Sequence, residues 1–303
     1  MGEGVSFEAA LLADGLRPRE VIADGRIHRC VTESKPGHRN GWYVLHPDGH
    51  GAWGDWASGG GLALGTWRAE ASRSIEQAGA VAALSRQRDR DRAERVAAMA
   101  RARQLFANAA PLQGSPKYLA HKGLTMEGCT GLRIWGGQLV VPVRLGHALI
   151  SVQTISADGE KRFFRGAPVK GGAYVLTRPR SALTAFVEGL ATGLAVYQCV
   201  PHCSVVVCFD AGNLAPVIQR MRPSGSVVIA ADNDWRTQAR RGVNPGLDKA
   251  RAAAALVGCG VAWPESIEGS DWCDAMSQWG EGAPRRIARL ILAKAVYVIG
   301  AGA

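Results

Sequence analysis

The sequence predicts an α/β protein: a parallel sheet with flanking helices, preceded by a β-rich basic stretch, a helical connector and a small N-terminal β-domain. Three observations predict it. Between residues 181 and 280, short β-branched runs bounded by Gly or polar residues alternate with helix-length segments, the pattern of buried parallel strands under covering helices. Between 131 and 166, closely spaced apolar runs with tight turns read as antiparallel strands. Between 68 and 110, a segment rich in Ala, Arg and Glu has the composition of a helix. The boundaries that follow are 1–67, 68–110, 111–180, 181–280 and 281–303, the last a C-terminal helix.

In chain order, Gly25–Cys30, Gly41–His46 and Gly51–Trp56 read as short strands carrying aromatic residues. Trp42, Trp53 and Trp56 can stack on single-stranded bases beside Arg26, Arg29 and Arg39, or they can form the core of a domain too small to fold without large rings. His28, Cys30, His38, His46 and His50 lie in the same stretch, without the paired-cysteine knuckles of a structural zinc site, so zinc is not expected. The charged run Arg86–Arg95 then points to a long exposed helix, by default a solvated spacer, with enough Arg to touch DNA. Pro111 and Gly114-Ser115-Pro116 mark its end.

Gly131–Trp135, Gln138–Arg144, Ala148–Ile155 and Gly159–Gly166 are the successive strands of the basic stretch. Its Lys161, Arg162, Arg165 and Lys170 have two readings, a solvated hairpin edge or a phosphate-binding surface. Next come the strand Thr184–Glu188, a helix to Gln198, the strand Ser204–Phe209, and Asp210–Asn213 opening a helix. The third strand, from Ser226, ends in Asp232-Asn233-Asp234. A helix over 245–257, the strand Gly260–Trp263 and the acids Asp271 and Asp274 complete the series. In open α/β sheets, ligands bind beyond the carboxyl ends of the strands, which is where Glu188, Asp232 and Asp234 fall. Like charges this close repel and raise one another's pKa unless a cation neutralises them. Mg²⁺ suits such a site, because it takes oxygen ligands, few of them from protein, and shares the rest with water and phosphate. The plain alternative for these acids is service as turn residues or helix caps.

Composition narrows the partners. A formal net charge of +10, from 36 Lys and Arg against 26 acids, favours a polyanion. The seven cysteines contain no CxxC pair, and Cys199 and Cys203 around His202 offer no full ligand set, so buried thiols in a reducing cytosol are expected. No apolar run nears the roughly 20 residues of a membrane span and no signal-peptide core opens the chain, so a soluble, cytoplasmic protein without membrane contact is expected.

Glu188-Gly189, Asp232-Asn233-Asp234 and Asp271-x-x-Asp274 together resemble the toprim domain, the catalytic fold shared by bacterial-type primases, type IA and II topoisomerases and some nucleases. The strings Val187–Thr192, Phe209–Asn213 and Asn244–Arg251 resemble the toprim primases of conjugative plasmids and phages. The resemblance implies that Glu188 assists acid/base chemistry or metal binding, that Asp232 and Asp234 hold Mg²⁺ (or Mn²⁺), and that Asp271 and Asp274 add to the metal set. It also makes the basic stretch similar to the subdomain that precedes toprim in primases, so that Lys161, Arg162, Arg165 and Lys170 would bind template or nucleotide. Arg236, Arg240 and Arg241, after the Asp pair, are further candidates, and Gly246 would open a helix facing phosphate. The N-terminal part resembles the DNA-binding head of such primases, a zinc ribbon in many relatives, and departs from it in lacking the cysteine pairs.

The expected function is therefore a DNA primase that makes short RNA primers on single-stranded DNA from ribonucleoside triphosphates. No GxxxxGK[ST] string occurs, so a replicative helicase would be a separate partner. A toprim nuclease, or a catalytically silent single-stranded-DNA-binding protein of a mobile element, would use the same residues differently.

Overall fold

A computed structural model of the chain describes residues 6–57, 63–68 and 75–299. The chain divides into two compact units, 1–94 and 95–303, each described by itself; the division falls within the residues of a long helix.

In the first unit, helix α1 (Phe7–Ala13) starts at Ser6, whose hydroxyl accepts the Ala9 N–H. An antiparallel sheet follows in sequential order: β1 (Leu16–Arg17), β2 (Ile27–Thr32), β3 (Gly41–Leu45), β4 (His50–Asp55) and β5 (Ala63–Arg68). Strand alternation sends Cys30, Tyr43 and Trp53 to one face, where they join Phe7, Leu11 and Leu16 in a small core. The Phe7 ring meets Tyr43, Trp53 and Trp67 edge-on at 6.1, 5.6 and 6.2 Å. A core of so few residues depends on such large rings.

Helix α2 (Ile75–Asn108) is not the fully solvated spacer its composition suggests. Ala98 and Ala102 are buried, and Leu105 and Phe106 pack against Val140 and Val152 of the second unit's first sheet. Small residues at helical spacing let the backbone approach the sheet; the surrounding arginines masked this stripe in the sequence.

The second unit holds two sheets. The first comprises β6 (Ala110–Pro111), then, after helix α3 (Lys117–His121), β7 (Arg133–Trp135), β8 (Gln138–Leu145), β9 (Ala148–Ile155) and β10 (Lys161–Phe163), all antiparallel neighbours. The six-stranded second sheet begins with β11 (Tyr174–Leu176). It continues β12 (Leu183–Val187), α4 (Leu190–Cys199), β13 (Cys203–Val207), α5 (Ala211–Met221) and β14 (Gly225–Ala230). Then come α6 (Trp235–Arg241), α7 (Pro245–Ala255), β15 (Gly260–Ala262), α8 (Trp272–Trp279), a 3₁₀ turn, α9 (Ala283–Leu292) and β16 (Val296–Val298).

Strand order is β11-β13-β12-β14-β15, with β12 to β15 mutually parallel. Both faces are covered, as parallel sheets require. Ala185, Val187, Val205 and Val207 pack under α4, α8 and α9, while Phe186, Val206, Val227 and Ile229 pack under α5 and α7.

Three expectations are corrected. The sheet is mixed, because β11 pairs antiparallel with β13 and β16 antiparallel with β14. It therefore starts before residue 181, and the segment after 281 is a helix plus an edge strand rather than a helix alone. The third long strand ends at Ala230, which leaves Asp232 and Asp234 in the loop beyond it. Among the described residues, no helix is long and apolar enough to cross a membrane.

Candidate active site

Glu188 leaves β12 as the chain turns into α4, and Asp232 and Asp234 leave β14 as it turns toward α6 and α7. Because β12 and β14 are adjacent and parallel in register, Val187 opposite Ala230, these exits lie side by side. Thr192, in the first turn of α4, donates its hydroxyl to Asp232 Oδ1 at 3.0 Å. Gly246, in the first turn of α7, donates its N–H to Asp234 Oδ2 at 3.1 Å. A Cβ on Gly246 would stand 2.8 Å from the Asp232 carbonyl oxygen, 3.2 Å from Glu188 Oε1 and 3.3 Å from Asp234 Oδ2. The bare glycine thus leaves open the point on which the acids converge.

The electrostatics mark the cluster as incomplete. Burial, then the charges of Glu188 and Asp271, hold the Asp232 carboxyl well above its ordinary range, against the Thr192 hydrogen bond and Lys161. Burial and the neighbouring Asp234 and Asp210 push Glu188 to about 7, opposed by a backbone N–H and by Lys249. Glu188 Oε1 is buried with no hydrogen-bond partner, an expensive state for a carboxylate oxygen. Among the described residues, no group of three or more His, Cys, Asp and Glu side chains converges closely enough to hold a metal ion by itself. Mg²⁺ requires none, since it keeps waters and substrate oxygens alongside one or two carboxylates. The hard-oxygen donor set and the orphaned Oε1 fit such an ion.

Asp271 and Asp274 divide. Asp271 caps α8 by accepting the Asp274 N–H at 2.8 Å, and Asp274 closes the capping box by accepting the Ser270 and Asp271 N–H groups. The remaining Asp274 oxygen lies 3.7 Å from Lys122 Nζ, so this carboxylate is occupied by the helix start and a lysine. Asp271 is the one whose charge bears on Asp232; burial raises its own pKa.

Strand alternation also divides the basic residues. Lys161 Nζ stands 3.4 Å from the point a Cβ would take on Gly189, and its charge acts on Asp232. Phe163, two residues on, meets Phe209 edge-on at 5.8 Å. Phe209 has φ +75, an uncommon backbone for a bulky residue, at the exit of β13 next to Asp210. Arg162 lies on the other face of β10 and pairs with Glu160 at 2.8 Å, both exposed. Arg165 and Lys170 are exposed and, among the described residues, make no hydrogen bond or ion pair. Arg236 stacks on Trp235 at 5.2 Å and donates to the Glu268 carbonyl at 2.9 Å. Arg240 and Arg241 ride the exposed helix α6 beside Asp234.

Several residues at this site escaped the sequence reading. Asp210 caps α5 and, with Lys249 of α7, flanks Gly212: Asp210 Oδ1 lies 3.0 Å and Lys249 Nζ 3.6 Å from the Cβ point of that glycine. The Asp-x-x-Asn spacing at 210–213 signals a cap, but nothing local in the sequence signals Lys249.

In the first unit, Trp53 is 5% exposed and donates its indole N–H to Asp14 at 2.7 Å, so it is a core residue and is withdrawn as a base-stacking candidate. Trp56 is 46% exposed, 6.2 Å from Trp42, with the Arg29 guanidinium 5.8 Å above its ring. Arg29 and Arg39 each donate to the other's backbone carbonyl, at 2.9 and 2.7 Å. Arg26 is exposed at the start of β2. His28 pairs with Asp24 and His50 with Asp48, while Cys30 belongs to the core.

Residues 184–282 match the Toprim domain family. Two Escherichia coli proteins named DNA primase TraC are similar in sequence, one 31% identical over 258 residues and the other 30% over 262 residues. Each alignment takes in 80% of this chain and only 24% or 18% of the relative, so the chain spans about a quarter or less of their length. The crystal structure of the primase fragment of the bacteriophage T7 primase-helicase protein is similar at a TM-score of 0.42 and 13% identity, over 59% of this chain and 78% of that one. Acids at the exits of adjacent parallel strands and covering helices on both faces thus stand within residues 184–282, the stretch that matches the Toprim domain family, in a chain similar over 80% of its length to DNA primase TraC.

Proposed function

We propose that the chain is a DNA primase, joining ribonucleotides into short primers on a single-stranded DNA template. The observation that carries this reading is the buried, unpartnered Glu188 Oε1 among mutually repelling acids, with Lys161 beside them. Glu188, Asp232 and Asp234 would hold Mg²⁺ or Mn²⁺, with Asp271 behind Asp232. When bound, the ion neutralises the acids and polarises phosphate oxygens. Lys161 binds the triphosphate of the incoming nucleotide; the Gly246 and Leu247 N–H groups that open α7 are already taken by Asp234 and Asn244, so this helix start does not offer them to phosphate. In the transfer, the 3′-oxygen of one nucleotide bonds to the α-phosphorus of the next, the bond to pyrophosphate breaks, and Glu188, as the alternative to serving as a metal ligand, would take the hydroxyl proton. Arg165, Lys170, Arg236, Arg240 and Arg241 line solvent-facing segments where template phosphates can be held. In the N-terminal domain, Trp42 and Trp56 with Arg29 and Arg39 form a stacking surface for single-stranded template.

The test is incubation of the protein with a single-stranded template, labelled ribonucleoside triphosphates and Mg²⁺. New oligomers are expected. A shortened template would mean a toprim nuclease, and retention of the template without either product would mean a silent DNA binder.

A further inference from the structure

We infer that Asn244 is a positioning residue for the metal site, fixing Asp234 from the turn that opens α7. The inference rests on the reading of Asp234 as a metal ligand. Asn244 is 3% exposed, and all four hydrogen-bonding positions of its side chain are filled. Its Oδ1 accepts the Asp234 N–H at 3.1 Å and the Leu247 N–H at 3.3 Å. Its Nδ2 donates to Asn233 Oδ1 at 2.8 Å and to Gln238 Oε1 at 3.1 Å. Two residues on, Gly246 donates its N–H to the Asp234 carboxylate. One Asn-Pro-Gly turn therefore grips Asp234 at both its backbone and its carboxylate. Asn233 is anchored in turn: its N–H donates to the Ser270 carbonyl at 2.6 Å and its Nδ2 to the Pro264 carbonyl at 3.1 Å.

A helix cap alone would not need this residue. Ser or Asp accepts the Leu247 N–H as well as Asn does, but neither can accept at two backbone amides while donating to Asn233 and Gln238. The amide is required only if the loop carrying Asp234 and the start of α6 must be held to α7. Helix α6 buries none of its own residues, so Gln238 reaching Asn244 is one of the few attachments holding it beside the acids.

The experiment titrates the full chain with Mn²⁺, followed by electron paramagnetic resonance, for the parent, Asn244→Ser and Asp234→Asn. Asn244→Ser keeps the cap of α7 and is expected to melt within a few degrees of the parent, yet bind Mn²⁺ about tenfold to a hundredfold more weakly, the range for loss of a residue that orients a ligand. Its primer synthesis should recover at high Mn²⁺, which a general folding defect would not. Unchanged Mn²⁺ affinity in Asn244→Ser, with weakened binding in Asp234→Asn, overturns the inference and leaves the metal site standing. Unchanged affinity in Asp234→Asn overturns the metal-site reading itself and the inference with it. If Asn244→Ser does not fold, Asn233→Ala removes the acceptor that orients the Asn244 amide, together with the bond to the Pro264 carbonyl, and leaves the cap intact; the same loss in smaller measure is expected, and parent-like Mn²⁺ binding overturns the inference.

Discussion

In the N-terminal sheet, Asp24 and Asp48 lie below the ordinary carboxylate range: slight burial is outweighed by hydrogen bonds from His28 and His50 and from nearby backbone N–H groups. At the exits of β12 and β14, burial and nearby carboxylates push the other way, Asp234 and Asp210 acting on Glu188, and Glu188 and Asp271 on Asp232. The first pair has found local partners, so its role ends with the fold. The second is held in a costly arrangement by the strands that carry it, which a bound proton or cation would relieve. Aromatic residues divide the same way: Trp53 is spent on the core of the first unit, while Trp56 remains exposed with an arginine above it.

The largest expected effect comes from breaking the unsatisfied cluster. Asp232→Asn should cut primer synthesis by at least about a hundredfold. It should also raise the melting temperature of the metal-free protein, because a desolvated and repelled charge is gone. A variant that primes normally would refute the metal role of Asp232, and one that melts lower would show that its Thr192 hydrogen bond outweighs the repulsion. Next in size is the tryptophan pair. Trp53→Ala should lose about 3–5 kcal/mol of stability to the cavity it leaves. Trp56→Ala should melt like the parent and lose about 1–3 kcal/mol of single-stranded-DNA binding, measured by fluorescence anisotropy. Equal DNA affinity in Trp56→Ala and the parent would leave the N-terminal sheet without a template role.

The strand β10 offers a finer contrast. Lys161→Ala should raise the KM for nucleotide about tenfold, consistent with loss of a charge-assisted bond of roughly 1.5–3 kcal/mol. Arg162→Ala should change little, since exposed ion pairs are worth about 0–1 kcal/mol. Similar kinetics in the two variants would dissolve the distinction between the faces of that strand.

The last effect is a slope with pH. Glu188 binds its proton more tightly folded than unfolded, so the native chain holds the extra proton between the ordinary pKa of 4.5 and about 7. Through that window, the Glu188 contribution should make metal-free stability fall as pH rises. Asp234, Asp210 and Lys249 bear on the same carboxyl, so the slope belongs to the group. Millimolar Mg²⁺ should flatten or reverse it, and thermal melts at pH 5 and 7 with and without the ion would measure the change.

The acids were legible because apolar β-branched runs fix where parallel strands end, which is where open α/β sheets bind ligands. The antiparallel strands β11 and β16 were not, because three residues such as Tyr174–Leu176 carry no period that a loop could not also show. The split between Lys161 and Arg162 was available from alternation once Phe163 was taken as the apolar partner on the same face. Asn244 entered the sequence analysis only as the start of the string Asn244–Arg251; its four partners lie in the loop after β14, in α6 and in α7, which one-dimensional spacing does not expose. Lys249 reaches the site only because α5 and α7 lie on the same face of the sheet.

Gly246 has a consequence for how such a site can be switched off. Its φ lies outside the left-handed region, so the chain needs a glycine there for room alone. A single methyl at that point would act as a plug wedged among Glu188, Asp234 and the Asp232 carbonyl, altering no charge and deleting no ligand. Gly246→Ala should thus yield a protein that keeps every acid and occupies DNA without extending a primer on it, a dominant competitor rather than an absent enzyme.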